Sequence, residues 1–274
     1  MAIQALMPVT IAKAAGSATL PCVTFLDSII LGIVEGITEF LPVSSTGHLI
    51  LTANALGLQH TEFLKSFEIA IQLGAVFAVL ALFPRRFLEI ETLKKLIVGF
   101  IPTAVIGLIA YDVVKGVLLG NELVVVTALA VGGIIMIAFE YFRGPHAGTS
   151  DVSYRHAALI GVFQSIAMIP GVSRSGAAII GGLALGLSRT AIVEFSFLLA
   201  VPTMLAATSL DLLKTHRMFE GGEWALLATG FITSFVVALI AMRGLLAYVK
   251  DSSFIAFGVY RIVLALVYFV VFIA

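Results

Sequence analysis

The chain has 274 residues, of which 60% are hydrophobic and only 12% are charged, and its mean hydropathy is +1.12. A soluble domain carries about 25% charged residues, so this composition excludes an ordinary soluble protein and predicts a polytopic membrane protein. Sixteen basic and sixteen acidic residues give a formal net charge of zero, which argues against nucleic acid as a partner.

The first element after a variable extension, 1–23, is an interrupted apolar segment. Residues 24–43 are apolar until Pro42, and the sequence Ser-Ser-Thr-Gly follows. The next apolar piece, 48–58, is too short to cross a bilayer, because a spanning helix needs about 20 residues. Short apolar pieces on both sides of a polar break predict a re-entrant hairpin, 24–58.

Longer apolar segments follow, and we interpret each of them as one transmembrane helix. They are 66–83, 96–110, 122–139, 191–213, 224–248 and 254–274. A second broken apolar block, 157–187, lies between the third and the fourth segments and contains the sequence Pro-Gly-Val-Ser-Arg-Ser-Gly. This block predicts a second re-entrant hairpin.

The two halves of the chain match at a fixed offset of 129 residues. The offset pairs Gly32 with Gly161, Glu35 with Gln164, Ser44 with Ser173, Gly47 with Gly176 and Gly57 with Gly186. We therefore predict one all-α membrane domain with two repeats, 24–139 and 157–274, joined by a loop, 140–156. A hairpin plus three crossings is an odd number of crossings, so the second repeat is expected to be inverted.

Basic residues indicate which side of the membrane each loop occupies, because cytoplasmic loops are rich in lysine and arginine. One side holds Arg85, Arg86, Lys94, Lys95, Arg143, Arg155, Arg243 and Lys250, whereas the other side holds Lys65, Lys115, Lys214 and Arg217. We expect the first side to be cytoplasmic. Both termini and the opening of the active site are then extracytoplasmic.

Two carboxylates in the first hairpin, Glu35 and Glu39, are four residues apart and share one helical face. Like charges in an apolar environment imply a bound divalent cation, a shared proton or a basic partner, although a solvated helix end would also explain them. Hard cations prefer oxygen ligands and the sequence has no His/Cys cluster, so Mg²⁺ or Ca²⁺ is the expected cofactor.

The residues that follow Pro42 predict a chain reversal and a helix start, with Ser44 or Ser45 as the N-cap and Thr46 beside it. A helix N-terminus binds phosphate readily. His48 lies just inside this helix, where it could act as a nucleophile or a proton shuttle, or serve only as a structural residue.

Arg174 supplies the opposite charge in the second hairpin, where it lies between Ser173 and Ser175 and is followed by Gly176. A guanidinium binds a phosphoryl group through two parallel hydrogen bonds and stays charged. The alternative is an arginine that extends to the membrane interface.

Several other polar residues interrupt apolar segments and are secondary candidates for the site. They are Gln72, Gln164, Glu194 and Arg261, and Glu68 has a similar position. Hydrogen bonds between helices would explain them as well as ligand contact would. Glu194 and Arg261 could also pair with each other.

The two hairpin motifs, Glu-Gly-Ile-Thr-Glu-Phe-Leu-Pro-Val-Ser-Ser-Thr-Gly-His at 35–48 and Pro-Gly-Val-Ser-Arg-Ser-Gly at 170–176, resemble those of the bacterial undecaprenyl pyrophosphate phosphatases, also called bacitracin-resistance proteins. The similarity extends to 67–74, 194–202 and 259–261. It implies an enzyme of the bacterial cytoplasmic membrane that removes the terminal phosphate of undecaprenyl pyrophosphate and so recycles the carrier lipid for cell-wall synthesis.

The resemblance also implies roles for individual residues. Glu35, Glu39, Ser45, His48 and Arg174 fall on the family's catalytic positions, with metal binding at the two glutamates. Substrate phosphate is expected to contact Ser44, Thr46, Ser173, Arg174, Ser175 and Gly176. The chain departs from the family at Ala178, where a threonine is common.

The expected partners are the lipid bilayer and a polyprenyl pyrophosphate, and a homodimer is left open. The alternative function is a transporter or flippase of a polyprenyl phosphate or another anion, because inverted repeats with broken helices are also a transporter architecture.

Overall fold

The computed structural model describes residues 23–59, 61–113, 122–143, 148–214 and 221–273. Within these ranges the protein is α-helical, and the only β-type contact is one isolated bridge between Thr149 and Leu187. Apart from Val23, the predicted extension lies outside the described residues. The expected all-α class is therefore confirmed for the part of the chain that the structure describes.

Four short helices form two hairpins. The helices α1 (Phe25–Thr38) and α2 (Ser45–Ala55) make the first hairpin, and α6 (Tyr154–Ser165) and α7 (Arg174–Ala184) make the second. Each pair begins at the same offset of 129 residues. At about 1.5 Å per residue, helices of 11 to 14 residues are shorter than the roughly 30 Å core of a bilayer.

Local sequence explains where these hairpins begin and end. Thr24 accepts a hydrogen bond from the amide of Asp27, and the Asp27 carboxylate accepts one from the amide of Thr24, which together make a capping box. Ser153 and His156 do the same for α6. Gly57 and Gly186 follow α2 and α7 with φ angles of 68° and 85°, a conformation that terminates helices and favours glycine.

Five long helices are apolar and long enough to cross a membrane, and they match five of the six predicted crossings. They are α3 (Glu62–Leu82), α4 (Ile90–Val113), α5 (Glu122–Arg143), α8 (Arg189–Lys214) and α9 (Glu223–Asp251). The sixth prediction corresponds to α10 (Ile255–Tyr268) and a π-helical turn, Phe269–Ile273. Its apolar helical stretch, Ile255–Val271, is shorter than the other five.

The first helix of each hairpin packs against a long helix from the other half of the chain, α1 against α9 and α6 against α4. Glycines permit this close approach. A Cβ atom on Gly36 would lie 2.7 Å from the carbonyl oxygen of Ser234, and a Cβ on Gly161 would overlap the backbone of Gly99. The first helix of each hairpin therefore has its most extensive packing with the opposite half.

Ion pairs cluster at the end of the molecule that the basic residues mark. Arg86, between α3 and α4, donates to Glu194 on α8 at 2.8 Å, and this carboxylate together with that of Glu89 raises the pKa of Arg86. Arg189 and Glu140 pair at 2.6 Å. The second hairpin begins at this charged end, since Tyr154 donates to Glu91 there.

The first hairpin begins at the opposite end of the molecule. Val23, just before α1, and Leu58, just after α2, share a hydrophobic cluster with Phe63 and Leu227, which lie at the starts of α3 and α9. Because α3 runs from this cluster to the charged end, the two hairpins enter the protein from opposite ends and bring their loops together in its interior.

Candidate active site

The loops of the two hairpins meet at a cavity of about 650 Å³. Its wall is polar near the loops and apolar between α4, α6 and α8, where Phe100, Leu108, Met168 and Met204 contribute. The polar residues on the wall are Glu39, Ser44, Ser45, Thr46, Gln72, Thr103, Gln164, Ser173, Arg174 and Thr203. Eight of these were predicted from the sequence as site residues, and the two threonines Thr103 and Thr203 were not.

The two loops have the same unusual backbone at matching positions. Ser44 has a φ angle of 71° and Ser173 a φ angle of 78°, and these are the only described residues other than glycine with a positive φ. Each serine is the N-cap of a short helix, α2 or α7. Strained backbone of this kind concentrates at functional sites, and a helix N-terminus attracts anions, so both loops favour phosphate.

A serine, a glutamate and an arginine form a connected group on the cavity wall. Ser45 Oγ donates to Glu39 Oε2 at 2.6 Å, and Arg174 Nη2 donates to Glu39 Oε1 at 2.9 Å. Arg174 also donates to the carbonyl of Ser196, and its guanidinium lies 5.8 Å from the centre of the Phe40 ring. The ion pair thus joins the first hairpin to the second across the cavity.

Glu35 is completely buried one helical turn before Glu39 and does not line the cavity. Neither of its carboxylate oxygens accepts a hydrogen bond from a donor group in the described part of the protein, although the Glu39 carboxyl lies close enough to share a proton with it. The side chains of Glu39, Glu68 and Arg174 lie within electrostatic range of it. A buried carboxylate in this state requires a proton or a cation, since an isolated buried charge is strongly unfavourable.

His48 lies behind the first loop rather than on the cavity wall. Its Nδ1 is 2.8 Å from the carbonyl oxygen of Ser44, and its Nε2 is 2.7 Å from the hydroxyl of Tyr260. A carbonyl only accepts hydrogen bonds, so in the neutral ring Nδ1 carries the proton and Nε2 accepts from Tyr260. The two rings also stack, with centroids 5.5 Å apart. The catalytic role of His48 stays a prediction.

No separate feature of the sequence points to Tyr260 as the partner of His48. The two residues are 212 positions apart in the chain, and only their packing brings them together. The one signal available was the similarity of residues 259–261 to the phosphatase family.

Ser175 and Gly176 were predicted to contact phosphate but are buried away from the cavity wall. The hydroxyl of Ser175 donates to the carbonyl of Leu41 at 2.8 Å, so it ties the second loop to the first. The amide of Gly176 donates to Ser173 Oγ at 3.1 Å, which caps α7. Ala178 is fully buried in the main hydrophobic core, where a hydroxyl group would not reach the cavity.

Gln164 occupies the position in the second hairpin that matches Glu35 in the first. Its Nε2 donates to Thr103 at 3.2 Å and to Thr203 at 3.0 Å. Both hydroxyls already donate to backbone carbonyls, so they must accept from Gln164, and this fixes the orientation of the amide. The buried Oε1 has no partner in the described residues, and Gln164 lies on the cavity wall.

The predicted pairing of Glu194 with Arg261 is wrong. Glu194 pairs with Arg86 at the charged end, outside the cavity. Arg261 is buried, with 1% of its surface exposed, and donates to backbone carbonyls of both hairpin loops and of α5. Their helices, α8 and α10, face different neighbours, which the spacing of polar residues within each helix does not reveal.

The carboxylates of Glu35 and Glu39 could bind a divalent cation. Glu35 offers two buried carboxylate oxygens that accept no hydrogen bond from a donor group among the described residues, and Glu39 lies beside it. Within the described ranges, no group of three or more His, Cys, Asp and Glu side chains could hold a metal ion. Such a pair suits Mg²⁺, which is usually bound through one or two carboxylates, water and substrate phosphate.

Comparison with known proteins identifies the family. The model of the family described as "Bacitracin resistance protein BacA" matches residues 28–267. The chain belongs to the BacA family. The resemblance drawn from the hairpin motifs is thereby confirmed, and the matched region contains both hairpin loops and all the residues of the cavity wall.

Curated relatives in the BacA family match nearly the whole chain. A protein of Aquifex aeolicus (strain VF5) is 53% identical over 246 residues, which cover 88% of this chain and 96% of the relative. A protein of Persephonella marina is 50% identical, and the match covers 89% of this chain and 97% of the relative. A protein of a Sulfurihydrogenibium species is 48% identical, and the match covers 90% of this chain and 98% of the relative. Each of the three is named undecaprenyl-diphosphatase.

Proposed function

We propose that this chain is an undecaprenyl-diphosphatase that cleaves undecaprenyl pyrophosphate to undecaprenyl phosphate and inorganic phosphate in the cavity between the two hairpin loops. Its relatives carry that enzyme name, and the family description implies a role in bacitracin resistance. The observation that carries the proposal for the site is the Ser45, Glu39 and Arg174 group on the cavity wall.

The substrate binds with its two ends in different parts of the cavity. The pyrophosphate meets Arg174 and the two helix starts, where positive charge and backbone amides favour it. The prenyl chain follows the apolar wall of Phe100, Leu108 and Met204. Leu108 is 70% exposed on the outer surface of α4, so this wall continues to the lipid side of the protein.

Ser45 is the nucleophile in the proposed reaction. Its hydroxyl oxygen attacks the terminal phosphorus while Glu39 Oε2, 2.6 Å away, takes the proton. The bond from phosphorus to the bridging oxygen breaks, and undecaprenyl phosphate leaves. Arg174 stabilises the charge on the transferred phosphoryl group. The departing undecaprenyl phosphate takes that proton from Glu39. Glu39 then deprotonates a water molecule, whose oxygen attacks the phosphorus of the phosphoserine. The bond from phosphorus to Ser45 Oγ breaks, Ser45 Oγ takes the proton from Glu39, and inorganic phosphate leaves.

A divalent cation, Mg²⁺ or Ca²⁺, would be held by Glu35 and Glu39. Bound there, it supplies positive charge that neutralises the phosphate oxygens. Glu35 is more available than Glu39 to bind the cation. Its oxygens accept no hydrogen bond from a donor group among the described residues, whereas Glu39 already accepts hydrogen bonds from Ser45 and Arg174. Removal of divalent cations with a chelator, followed by titration of Mg²⁺ and Ca²⁺, tests this assignment.

We further propose that the two halves are inverted-topology repeats with re-entrant hairpins. Three observations support this arrangement: the matching helix starts, the matching positive φ angles of Ser44 and Ser173, and the entry of the hairpins from opposite ends. With the charged end in the cytoplasm of a bacterial inner membrane, the cavity opens on the extracytoplasmic side. A homodimer stays a prediction.

The deciding experiment measures phosphate release from undecaprenyl pyrophosphate by the purified protein in detergent, where no vectorial transport takes place. The expected result is divalent-dependent release by the wild type and trapping of a phosphoenzyme at Ser45 upon acid quench. A labelled phosphoryl group on His48 instead would reject Ser45 as the nucleophile. An active Ser45→Ala variant with no phosphoenzyme would favour direct attack by water, and a wild type that releases no phosphate would favour a transporter.

A further inference from the structure

Arg261 on α10 has hydrogen-bond partners that are unusual for a buried arginine. The three nitrogens of its guanidinium group donate five hydrogen bonds, all to backbone carbonyls, at 2.8 to 3.3 Å. The acceptors are Pro42 in the first loop, Gly171 and Val172 in the second loop, and Ala128 and Leu129 on α5. No carboxylate pairs with Arg261 in the described residues.

This bonding pattern excludes a direct role in substrate binding. A guanidinium has five N–H donors, and the bonding groups of Arg261 are already occupied by protein carbonyls. Arg261 is absent from the cavity wall. A buried cation without a counter-ion is costly unless its hydrogen bonds are all made, so this side chain is held where it is by the loops and in turn holds them.

The consequence for the second loop follows from peptide geometry. Peptide bonds in the described structure are trans, so the N–H of a residue points opposite to the C=O of the residue before it. Arg261 Nη1 donates to the Val172 carbonyl at 2.8 Å, and neither Arg261 nor Val172 lines the cavity. The amide of Ser173, a residue of the cavity wall with φ 78°, is thereby directed away from Arg261.

We propose that Arg261 is a positioning residue that orients the peptide between Val172 and Ser173 so that the Ser173 amide donates to a substrate phosphate oxygen. The same side chain fixes the second loop to Pro42 of the first, which sets the distance between Arg174 and Ser45. This inference deepens the proposed phosphatase function and rests on it.

Lysine cannot replace arginine in this role. An ammonium group has three donors on one atom, whereas the acceptors of Arg261 belong to three separate segments of the chain. Gly132 on α5 provides an independent perturbation, because a Cβ atom there would overlap the Arg261 guanidinium. Gly132→Ala therefore moves the arginine while leaving it in the protein.

The experiment compares Arg261→Lys and Gly132→Ala with two matched controls. Arg143→Lys alters another arginine that donates to a backbone carbonyl, that of Leu187 at the charged end, far from the cavity. Gly244→Ala adds a Cβ to a long helix at a position with nothing within 4 Å. For each purified variant we would measure kcat, KM and the midpoint temperature of thermal unfolding. A second unfolding measurement with inorganic pyrophosphate gives the rise in that midpoint that pyrophosphate causes.

The expected result is a fall in kcat of about 100-fold for Arg261→Lys, the size typical of a misplaced catalytic group, with a smaller change in KM. In Gly132→Ala, kcat also falls, but by a smaller factor. In the two control variants, kcat stays within about threefold of the wild-type value. Stabilisation by pyrophosphate is smaller in Arg261→Lys than in the wild type and is unchanged in Arg143→Lys.

Two results would overturn the proposal. One is kcat within about threefold of wild type, per folded molecule, in both Arg261→Lys and Gly132→Ala. The other is full stabilisation by pyrophosphate in Arg261→Lys. A wild type that releases no phosphate would refute the phosphatase function alone, because the pyrophosphate measurement tests loop positioning without catalysis.

Discussion

The two hairpin loops have nearly the same backbone and opposite chemistry. Their helices start at the same offset, and Ser44 and Ser173 share a positive φ angle. At matching positions, however, the first hairpin has Glu35, Glu39 and Ser45, whereas the second has Gln164, Met168 and Arg174. Two loops of similar backbone therefore carry different side chains: a serine and two carboxylates in the first hairpin, and an arginine in the second.

The difference matters because neither hairpin alone contains a complete site. In the proposed reaction, Ser45 and its base Glu39 come from the first loop, and Arg174, which pairs with Glu39, comes from the second. Ser175 joins the loops through the carbonyl of Leu41. Predictions that exchange the properties of the two loops test whether this division of roles is correct.

The largest effect is expected for Arg174→Lys, which keeps the charge but removes the planar fork. Glu39 and the phosphate then compete for one ammonium group, and we expect kcat/KM to fall about 10³-fold, as when a phosphoryl-transfer arginine is removed. Phosphate release in detergent measures it, and Arg189→Lys, in an ion pair at the charged end, is the control. Activity near wild type would remove Arg174 from the site.

Glu39→Gln tests the acidic half of the comparison. The amide cannot take the proton of Ser45, so kcat should fall about 10²-fold, which is within the usual contribution of a general base. Glu194→Gln is the matched control, since Glu194 pairs with Arg86 outside the cavity. Equal losses in the two variants would mean that the loss of a carboxylate lowers kcat wherever it lies in the protein, and would reject proton transfer at Glu39 as the cause.

Gln164→Glu makes the second hairpin resemble the first. A carboxylate would lose the hydrogen bonds that the Gln164 amide donates to Thr103 and Thr203 and would repel phosphate. We expect KM for the lipid pyrophosphate to rise about tenfold, which corresponds to one hydrogen-bonded polar group of about 1.4 kcal/mol. Thr203→Val separates the loss of the hydrogen bond from the added charge; an unchanged KM in Gln164→Glu would place Gln164 outside the substrate's reach.

The smallest effect is expected for Tyr260→Phe, which removes the donor to His48 Nε2 while leaving the stacked ring. The hydrogen bond from His48 to Ser44 persists, so kcat should fall by only about three- to tenfold, as for one neutral hydrogen bond. A comparison of pH profiles with His48→Gln checks the assignment. A loss as large as that of Glu39→Gln would instead make His48 part of the proton-transfer chemistry.

The sequence predicted the elements of this site well, because the information is local. The starts of α2 and α7 follow from proline, serine and glycine, and the 129-residue offset is enough to relate the two hairpins from the sequence alone. Glu39, Ser45 and Arg174 were selected for the same reason: charged and hydroxyl groups within apolar segments are costly without a function.

The sequence did not predict which residues face each other across the fold. The expected partners Glu194 and Arg261 lie in different regions, and His48 turns toward Tyr260 rather than the cavity. Ser175 was expected to bind phosphate, but its hydroxyl donates to Leu41. Each of these contacts depends on how α8, α10 and the two loops pack, and helical periodicity within one segment carries no information about that packing.

The glycine contacts between α1 and α9 have a consequence for biogenesis. Ser234, whose carbonyl lies against Gly36, is synthesised 198 residues later than that glycine. Until then the face of α1 that carries Gly32 and Gly36 lacks its final neighbour, and contacts of such long sequence separation form slowly. The nascent first hairpin should therefore depend on the insertion machinery until the last fifth of the chain is synthesised. Truncation before α9 should produce a protease-sensitive intermediate.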